Sequence, residues 1–262
     1  MRIAIFSDIH GNSIGLDAVL ADIEAKGGVD HYWVLGDHVG NGPDPVGVMQ
    51  RLMKLKNANF IRGNADRYVA NGDRPPPYAE DVIANPALVE QYGEVQGNFA
   101  WTAGIMVEFG WMNWLKNLPF HLEKTLPDGT RVLAYHASPW ADDSYEWPEF
   151  SPNTPKKDIQ KIADGCDAEL IFFGHTHWPL DQMIGHKRLV NVGSVGNPVT
   201  PSLSAYWSLL QTNEQDYNLT HFSVSYDQQA VIEQISKKHH PGAKFISSIY
   251  RGKHIKKLVK QL

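Results

Sequence analysis

Apolar residues along this chain gather into short runs, each of which stops at a polar residue able to coordinate a metal. Residues 2–8, 32–37, 131–136 and 170–175 share that form, and 60–64 is a shorter version. The runs are rich in β-branched and aromatic residues and closed by Gly or a polar side chain, so they predict strands buried on both faces. Such strands lie inside a sheet covered by helices. If they run parallel, their C-terminal ends share one edge, where open α/β sheets bind ligands. A helix is expected from Ser13. Asp73-Arg74-Pro75-Pro76-Pro77-Tyr78 must be an extended loop, because consecutive prolines exclude both helix and central strand. Residues 90–118 read as helical, with Trp101, Ile105, Met106, Phe109, Trp111, Met112, Trp114 and Leu115 supplying a wide apolar surface. Further on, 189–192 reads as a returning strand closed by the turn 193–198. Residues 206–210 and 217–224 read as a hairpin at the edge of a second sheet.

The residues that end the runs carry the chemistry: Asp8 with His10, Asp37, Asn64, His136, and His175 with His177. Carboxylate, amide carbonyl and imidazole together suit Mn, Fe, Zn, Co or Ni better than the all-oxygen sites of Ca or Mg. The set exceeds what one tetrahedral ion needs. A carboxylate bridging two divalent transition-metal ions roughly 3.5–4 Å apart would use the surplus, and such a pair can hold a hydroxide for in-line attack on phosphorus. Hydrolysis of a phosphoester is the reaction implied. A lone Asp-x-His or His-x-His is usually accidental, but here every such motif closes an apolar run. His31, His121, His186, His221, His239, His240 and His254 fall outside the pattern and read as surface or packing residues.

In chain order, Asp8-Ile9-His10, Gly36-Asp37, Gly63-Asn64, His136 and Gly174-His175-Thr176-His177 resemble the motifs of the calcineurin-like metallophosphoesterase superfamily. The likeness runs from Met1 to about Pro198. Its compact bacterial phosphodiesterase-like members are the most similar, sharing Ser7-Asp8-Ile9-His10-Gly11-Asn12 and Asn191-Val192-Gly193-Ser194. The resemblance implies an α/β fold, a four-layer αββα sandwich of two mixed β-sheets flanked by helices. It also implies that Asp8, His10 and His177 hold one metal and Asn64, His136 and His175 the other, with Asp37 bridging.

One departure from the family pattern bears on the substrate. Many members carry a histidine after the Gly-Asn of the third motif, beside the leaving group, in the position of a general acid. This chain reads Gly63-Asn64-Ala65-Asp66, and an alanine cannot donate a proton. General acid help is worth about 10²–10⁴-fold, so alkoxide leaving groups suffer most and aryl or strained cyclic diesters least. Members lacking this histidine resemble phosphodiesterases, including those acting on 2′,3′-cyclic nucleotides. A small phosphodiester, with nucleotides among the candidates, is therefore the expected substrate. Phosphomonoesterase or protein phosphatase action is the alternative, and a non-catalytic scaffold of the same fold is the rival class. His38 and Arg67 are the nearest replacements for the missing acid. Arg67 could also clamp a phosphate oxygen, although a surface position near the rim is the commoner fate of both residue types. Asn12 either bonds substrate or caps the helix at Ser13. Asp66 reads as a helix cap or a support for the ligands.

Composition narrows the picture a little further. At 262 residues and 42% hydrophobic, with no linker-like break, the chain is expected to form a single domain over 1–262, with a helical insert at about 71–130. The lone Cys166 excludes an intrachain disulfide and reads as a small packing residue. No apolar stretch approaches the ~20 residues that span a bilayer, and the first run is too short for a signal peptide, so a cytoplasmic protein without membrane contact is expected. Net charge is −5, but residues 237–262 hold eight Lys or Arg and no acid, leaving 16 basic against 29 acidic residues elsewhere. A basic helix is expected at about 243–262, with Ile255, Leu258, Val259 and Leu262 as one apolar stripe. Docking on the body explains that stripe, and an acidic body disfavours nucleic acid as a partner. The striped tail and the Trp-rich helix leave a homo-oligomer open. The 101–115 aromatics are expected in the core; alternatively some of them, with Trp140, Tyr145 and Trp147, wall the crevice and stack on a base or aryl group.

Overall fold

The computed structural model describes residues 1–253 and 255. Its strands are β1 (Arg2–Phe6), β2 (His31–Leu35), β3 (Ala58–Ile61), β4 (His121–Thr125), β5 (Arg131–Tyr135), β6 (Leu170–Phe173), β7 (Pro179–Ile184), β8 (Lys187–Val192), β9 (Ala205–Thr212) and β10 (Tyr217–Val224). The helices are α1 (Ser13–Ala25), α2 (Pro45–Leu52), α3 (Asn64–Asn71), α4 (Ala79–Ala84), α5 (Val89–Glu108), α6 (Met112–Lys116), α7 (Lys156–Gly165), α8 (Gln228–Lys237) and α9 (Ala243–Tyr250). Two mixed five-stranded sheets result, ordered β10-β9-β1-β2-β3 and β4-β5-β6-β8-β7.

Strand alternation builds the four layers. On β1, Ile3 and Ile5 join Trp33 and Leu35 in a core shared with Val132, Ala134, Leu170 and Phe172 of the other sheet. Ala4 and Phe6 point the other way, onto Leu16, Val19 and Ile23 of α1 and Val231 and Ile235 of α8. On the second sheet Leu133, Tyr135, Ile171 and Phe173 turn outward to Ile159 and Ile162 of α7. Both faces of the inner strands β1, β2, β5 and β6 are thus apolar, which is why those runs read as continuous and not as half-polar strands. The αββα sandwich follows.

Three expectations change. The ligand-bearing strands do not share one sheet: β1, β2 and β3 run parallel in the first, and β5 and β6 run parallel in the second. The late hairpin belongs to the first sheet, where β9 pairs antiparallel with β1 and is an interior strand, because Leu210 and Leu219 enter the inter-sheet core. The single helix over 90–118 breaks at Gly110 (φ 74°), where the Trp111 N–H turns back to Met106 O at 2.9 Å. β4 escapes the hydrophobic pattern because its edge sequence, His-Leu-Glu-Lys-Thr, is mostly exposed. Of the basic terminal helix, α9 and the buried Ile255 are described; Leu258, Val259 and Leu262 lie outside the described residues.

His240, between α8 and α9, is 2% exposed, edge-on to Trp101 at 4.7 Å. Its Nδ1 accepts the Gly242 N–H at 3.1 Å, its Nε2 has no hydrogen-bond partner, and burial lowers its pKa to about 4. An unfolded histidine titrates near 6.5, so between these values only the unfolded chain binds the proton. Stability is therefore full above about pH 6.5 and falls as pH drops toward 4, by on the order of 2–3 kcal/mol. His240→Gln should flatten that acid limb in thermal unfolding of metal-free protein. An unaltered limb would assign the acid sensitivity to other groups.

Candidate metal centre

The donors follow strand ends, Asn64 as the first residue of α3 and the others on turns, and five of them are left-handed although such residues rarely are. Asp8 (φ 57°), His10 (φ 49°), Asp37 (φ 52°), His175 (φ 67°) and His177 (φ 63°) all have positive φ. For non-glycine residues this conformation is uncommon and costs on the order of 1–3 kcal/mol, so surrounding structure must hold it. Backbone stitching between loops does so: Asp8 N–H to Gly36 O at 3.1 Å, His10 N–H to Asp37 O at 2.8 Å, and Gly174 N–H to His136 O at 3.1 Å. Asn191 Nδ2 holds Gly174 O at 2.7 Å and Thr176 Oγ1 at 2.9 Å, securing the His175–His177 turn. The loops approach so closely that Gly36 and Gly63 have no room for a side chain. A Cβ at Gly36 would lie 2.6 Å from His136 Nδ1, and one at Gly63 would overlap Asp37.

The seven sequence-derived donors converge. Asp8, His10, Asp37 and His177 offer donor atoms that all lie within 4.8 Å of one another. Beside them, Asn64 Oδ1 lies 3.0 Å from His136 Nε2 and 2.9 Å from His175 Nδ1. Asp37 Oδ2 stands between the groups, 3.4 Å from His10 Nε2 and 3.5 Å from His136 Nε2. Its other oxygen accepts the Ala65 N–H at 2.7 Å, which fixes the carboxylate plane.

Several of these contacts bring lone pairs and carboxylates together in the way that a bound cation would use. His136 Nδ1 must donate to the Leu35 carbonyl at 2.7 Å, so in the neutral ring Nε2 presents a lone pair to the Asn64 carbonyl. His10 Nε2 and His177 Nε2 face each other at 3.2 Å. Asp8 Oδ1 is buried without a hydrogen bond, although His177 Nε2 is 3.1 Å away. Burial disfavours charge on His136, but the carboxylates of Asp37 and Asp8 overcome it and raise its pKa to about 10. At His10 burial prevails and the pKa falls. Burial works against ionised Asp8 and Asp37 too, yet the imidazoles beside them, His177 and His136 for Asp8 and His136 and His10 for Asp37, hold both below the usual carboxylate range. A site that draws a proton onto a histidine between two carboxylates has the charge balance to accept a divalent ion in its place. The donors fit a borderline metal.

The remaining sequence candidates lie apart from the donors. His38 is fully buried, its Nδ1 donating to Asp66 at 2.8 Å and its ring edge-on to Phe60 and Trp114. Asp66 also accepts the His38 and Gly63 N–H groups at 2.9 and 3.0 Å, tying the Asp37 loop to the start of α3. The expected rim position for His38 is thereby corrected: a buried carboxylate pulls the ring inward. Arg67 is engaged by Asp73, Asp142 and Asp143, and neither it nor His38 lines the crevice over the donors. Asn12 caps α1, accepting the Gly15 N–H at 2.9 Å, and likewise does not line it. Trp147 packs against α7, and neither it nor Trp140 or Tyr145 enters the crevice. Ser208, His221 and Asp181 are linked at 2.8 and 2.7 Å like a nucleophile relay. Ser208 is only 1% exposed, so the relay serves to pin β9 and β10 to β7.

Sequence reading missed Glu149, whose Oε1 lies 3.4 Å from His175 Nε2 and accepts the Ser144 hydroxyl at 3.0 Å. With Nδ1 turned to the donors, His175 offers its other nitrogen to a carboxylate, an arrangement that orients a ligand ring and raises its basicity. Only the fold carries that signal, because the two residues lie on different loops. Glu149→Gln should weaken metal affinity about tenfold, the low end of the 10–100-fold range for such partners, because the carboxylate is half exposed. Calorimetric metal titration measures it. Equal affinity would leave Glu149 as a loop contact only.

A family model described as calcineurin-like phosphoesterase matches residues 1–179. An uncharacterized protein of Methanocaldococcus jannaschii is 28% identical over 256 residues, covering 91% of this chain and 93% of its own. The crystal structure of a hypothetical protein from Pyrococcus horikoshii OT3 superposes with a TM-score of 0.76 at 22% identity, covering 96% of this chain and 98% of that one. A metallophosphoesterase from Sphaerobacter thermophilus gives a TM-score of 0.72, with the same identity and coverage.

Proposed function

Because this chain belongs to the calcineurin-like phosphoesterase family, we propose that it hydrolyses phosphodiesters with two divalent transition-metal ions. Asp8, His10 and His177 would hold one ion and Asn64, His136 and His175 the other, with Asp37 between them. Bound there, Mn, Fe, Zn, Co or Ni would supply Lewis acidity toward phosphorus and a water nucleophile at neutral pH. The chain's own groups position these donors. Leu35 O fixes the His136 tautomer, the Ala65 N–H fixes Asp37, and the His175 N–H holds Asp8 Oδ2 at 3.1 Å.

The observation that carries the diester reading is Ala65. Its methyl lines the crevice beside Asn64 and Asp37, where many family members present an imidazole. His38 and Arg67, the neighbours able to substitute, are bound to Asp66 and to Asp73, Asp142 and Asp143. A leaving group must then depart without a dedicated acid, which aryl oxides and strained cyclic diesters tolerate best. We read 1–262 as one domain with α4, α5 and α6 as its helical addition. No described helix is long and apolar enough to cross a membrane, and a cytoplasmic location is part of the proposal.

The test is turnover of matched aryl diester and aryl monoester by protein of measured metal content. About two ions per chain and a diester kcat/KM at least tenfold above the monoester are expected. A ratio below one would make the protein a monoesterase, and absent metal with absent turnover would make it a scaffold.

A further inference from the structure

We propose that α5 and α9 form a selectivity wall which admits, beside the reacting phosphate, a planar organic group without negative charge. The inference rests on the phosphodiesterase reading. The crevice, of about 310 Å³, has two unlike halves. One holds the metal donors. The other is lined by Val95 and Phe99 of α5, Phe245 and Ile246 of α9, and Pro75 and Pro76 of the connecting loop, with Glu94 and amide side chains set among them. α9 lies beyond the stretch matched by the family model and α5 within it, so the α9 side of the wall is outside that match.

Two features define what fits. Phe245 is 53% exposed although it borders a crevice, an apolar ring left for something to cover. Phe99 is 4% exposed and packs edge-on at 5.4 Å against Tyr68, which lines the same crevice. Two aromatic rings and two prolines along one crevice favour a flat group presenting its faces, the sequence-tolerant stacking seen with bases and aryl groups. Charge supplies the second criterion. Among the described residues none lining the crevice is Lys or Arg, while Glu94 is there. A phosphodiester carries one negative charge, which bound metals would answer; a second phosphate or a carboxylate on the organic part would meet Glu94, while the neighbouring cations, Lys244 and Arg74, are not among the lining residues and Lys244 is already paired with Glu90 at 2.6 Å. Asn98 and Asn41, whose side chains are joined at 2.7 Å, line the crevice as uncharged polar groups.

The wall is preformed. Lys244 of α9 pairs with Glu90 of α5 at 2.6 Å, Trp101 meets His240, and Pro241 seats where Gly97 has no side chain. A Cβ at Gly97 would stand 2.8 Å from Pro241 Cβ, so glycine permits the close approach.

Three p-nitrophenyl diesters sharing one leaving group test the idea: the second group is methyl, p-nitrophenyl or 4-carboxyphenyl. Wild type should prefer the p-nitrophenyl diester over the methyl one by about tenfold or more in kcat/KM, and should discriminate against the carboxylated ring. Phe245→Ala should cut the aryl-to-methyl ratio at least threefold, and Glu94→Gln should raise the ratio of carboxylated to uncharged aryl diester. Both positions are partly exposed, and thermal unfolding checks that the variants fold. If neither ratio moves in folded variants, the wall does not select. No turnover of any of the three by metal-loaded wild type would instead overturn the phosphodiesterase reading.

Discussion

Asp37→Asn should lower kcat/KM on an aryl phosphodiester by roughly 10³-fold or more, well beyond the 10–100-fold typical of a group one step removed from the metal. Asp37 is 2% exposed, stands within 3.5 Å of imidazoles from both donor groups, and has its second oxygen on the Ala65 N–H. The amide is nearly isosteric, can still accept that N–H, and removes one charge. Circular dichroism and Tm should therefore report a folded protein. Metal analysis should show fewer than the wild-type number of ions, because a neutral carbonyl cannot neutralise two cations. A folded Asp37→Asn protein retaining both metal and turnover would contradict the bridging role.

Ala65→His carries the second large effect. Ala65 lines the crevice, and under the proposed diesterase reading a ring there would supply the leaving group with a proton donor, worth about 10²–10⁴-fold where the leaving group is poor. Monoester and alkyl ester turnover should rise on the order of 10²-fold while aryl diester turnover changes little, collapsing the diester preference. Ala65 is 2% exposed and packs among Val39, Tyr68 and Phe99, so added bulk should cost about 1–3 kcal/mol, visible as a lower Tm. A folded, metal-loaded Ala65→His protein with an unaltered substrate ratio would mean that the missing imidazole does not set the preference.

Much of the centre was legible in the sequence because its information is local. A run such as Ile3-Ala4-Ile5-Phe6 states by itself that both faces of the strand are covered, and Asp8 follows within two residues. The rim position expected for His38 changed for the opposite reason. Its chain neighbour Asp37 points into the centre, but the His38 ring is claimed by Asp66, 28 positions away. Arg67 is likewise spoken for by Asp142 and Asp143 on a distant loop. Buried polar groups take whichever partner the fold supplies, and that partner cannot be counted from the chain.

The donor types, their order, and the strands that deliver them could be read along the chain, since coordination chemistry belongs to side chains and burial on both faces shows as a continuous apolar run. Tertiary structure alone decided that those strands divide between two sheets, that Glu149 backs His175, and that Phe99 and Phe245, 146 positions apart, border one crevice. Pairing of sheets and seating of helices depend on complementary surfaces far apart in the chain. The reaction class was therefore written in local motifs, while the shape and charge that would choose a substrate emerged only when α5 met α9.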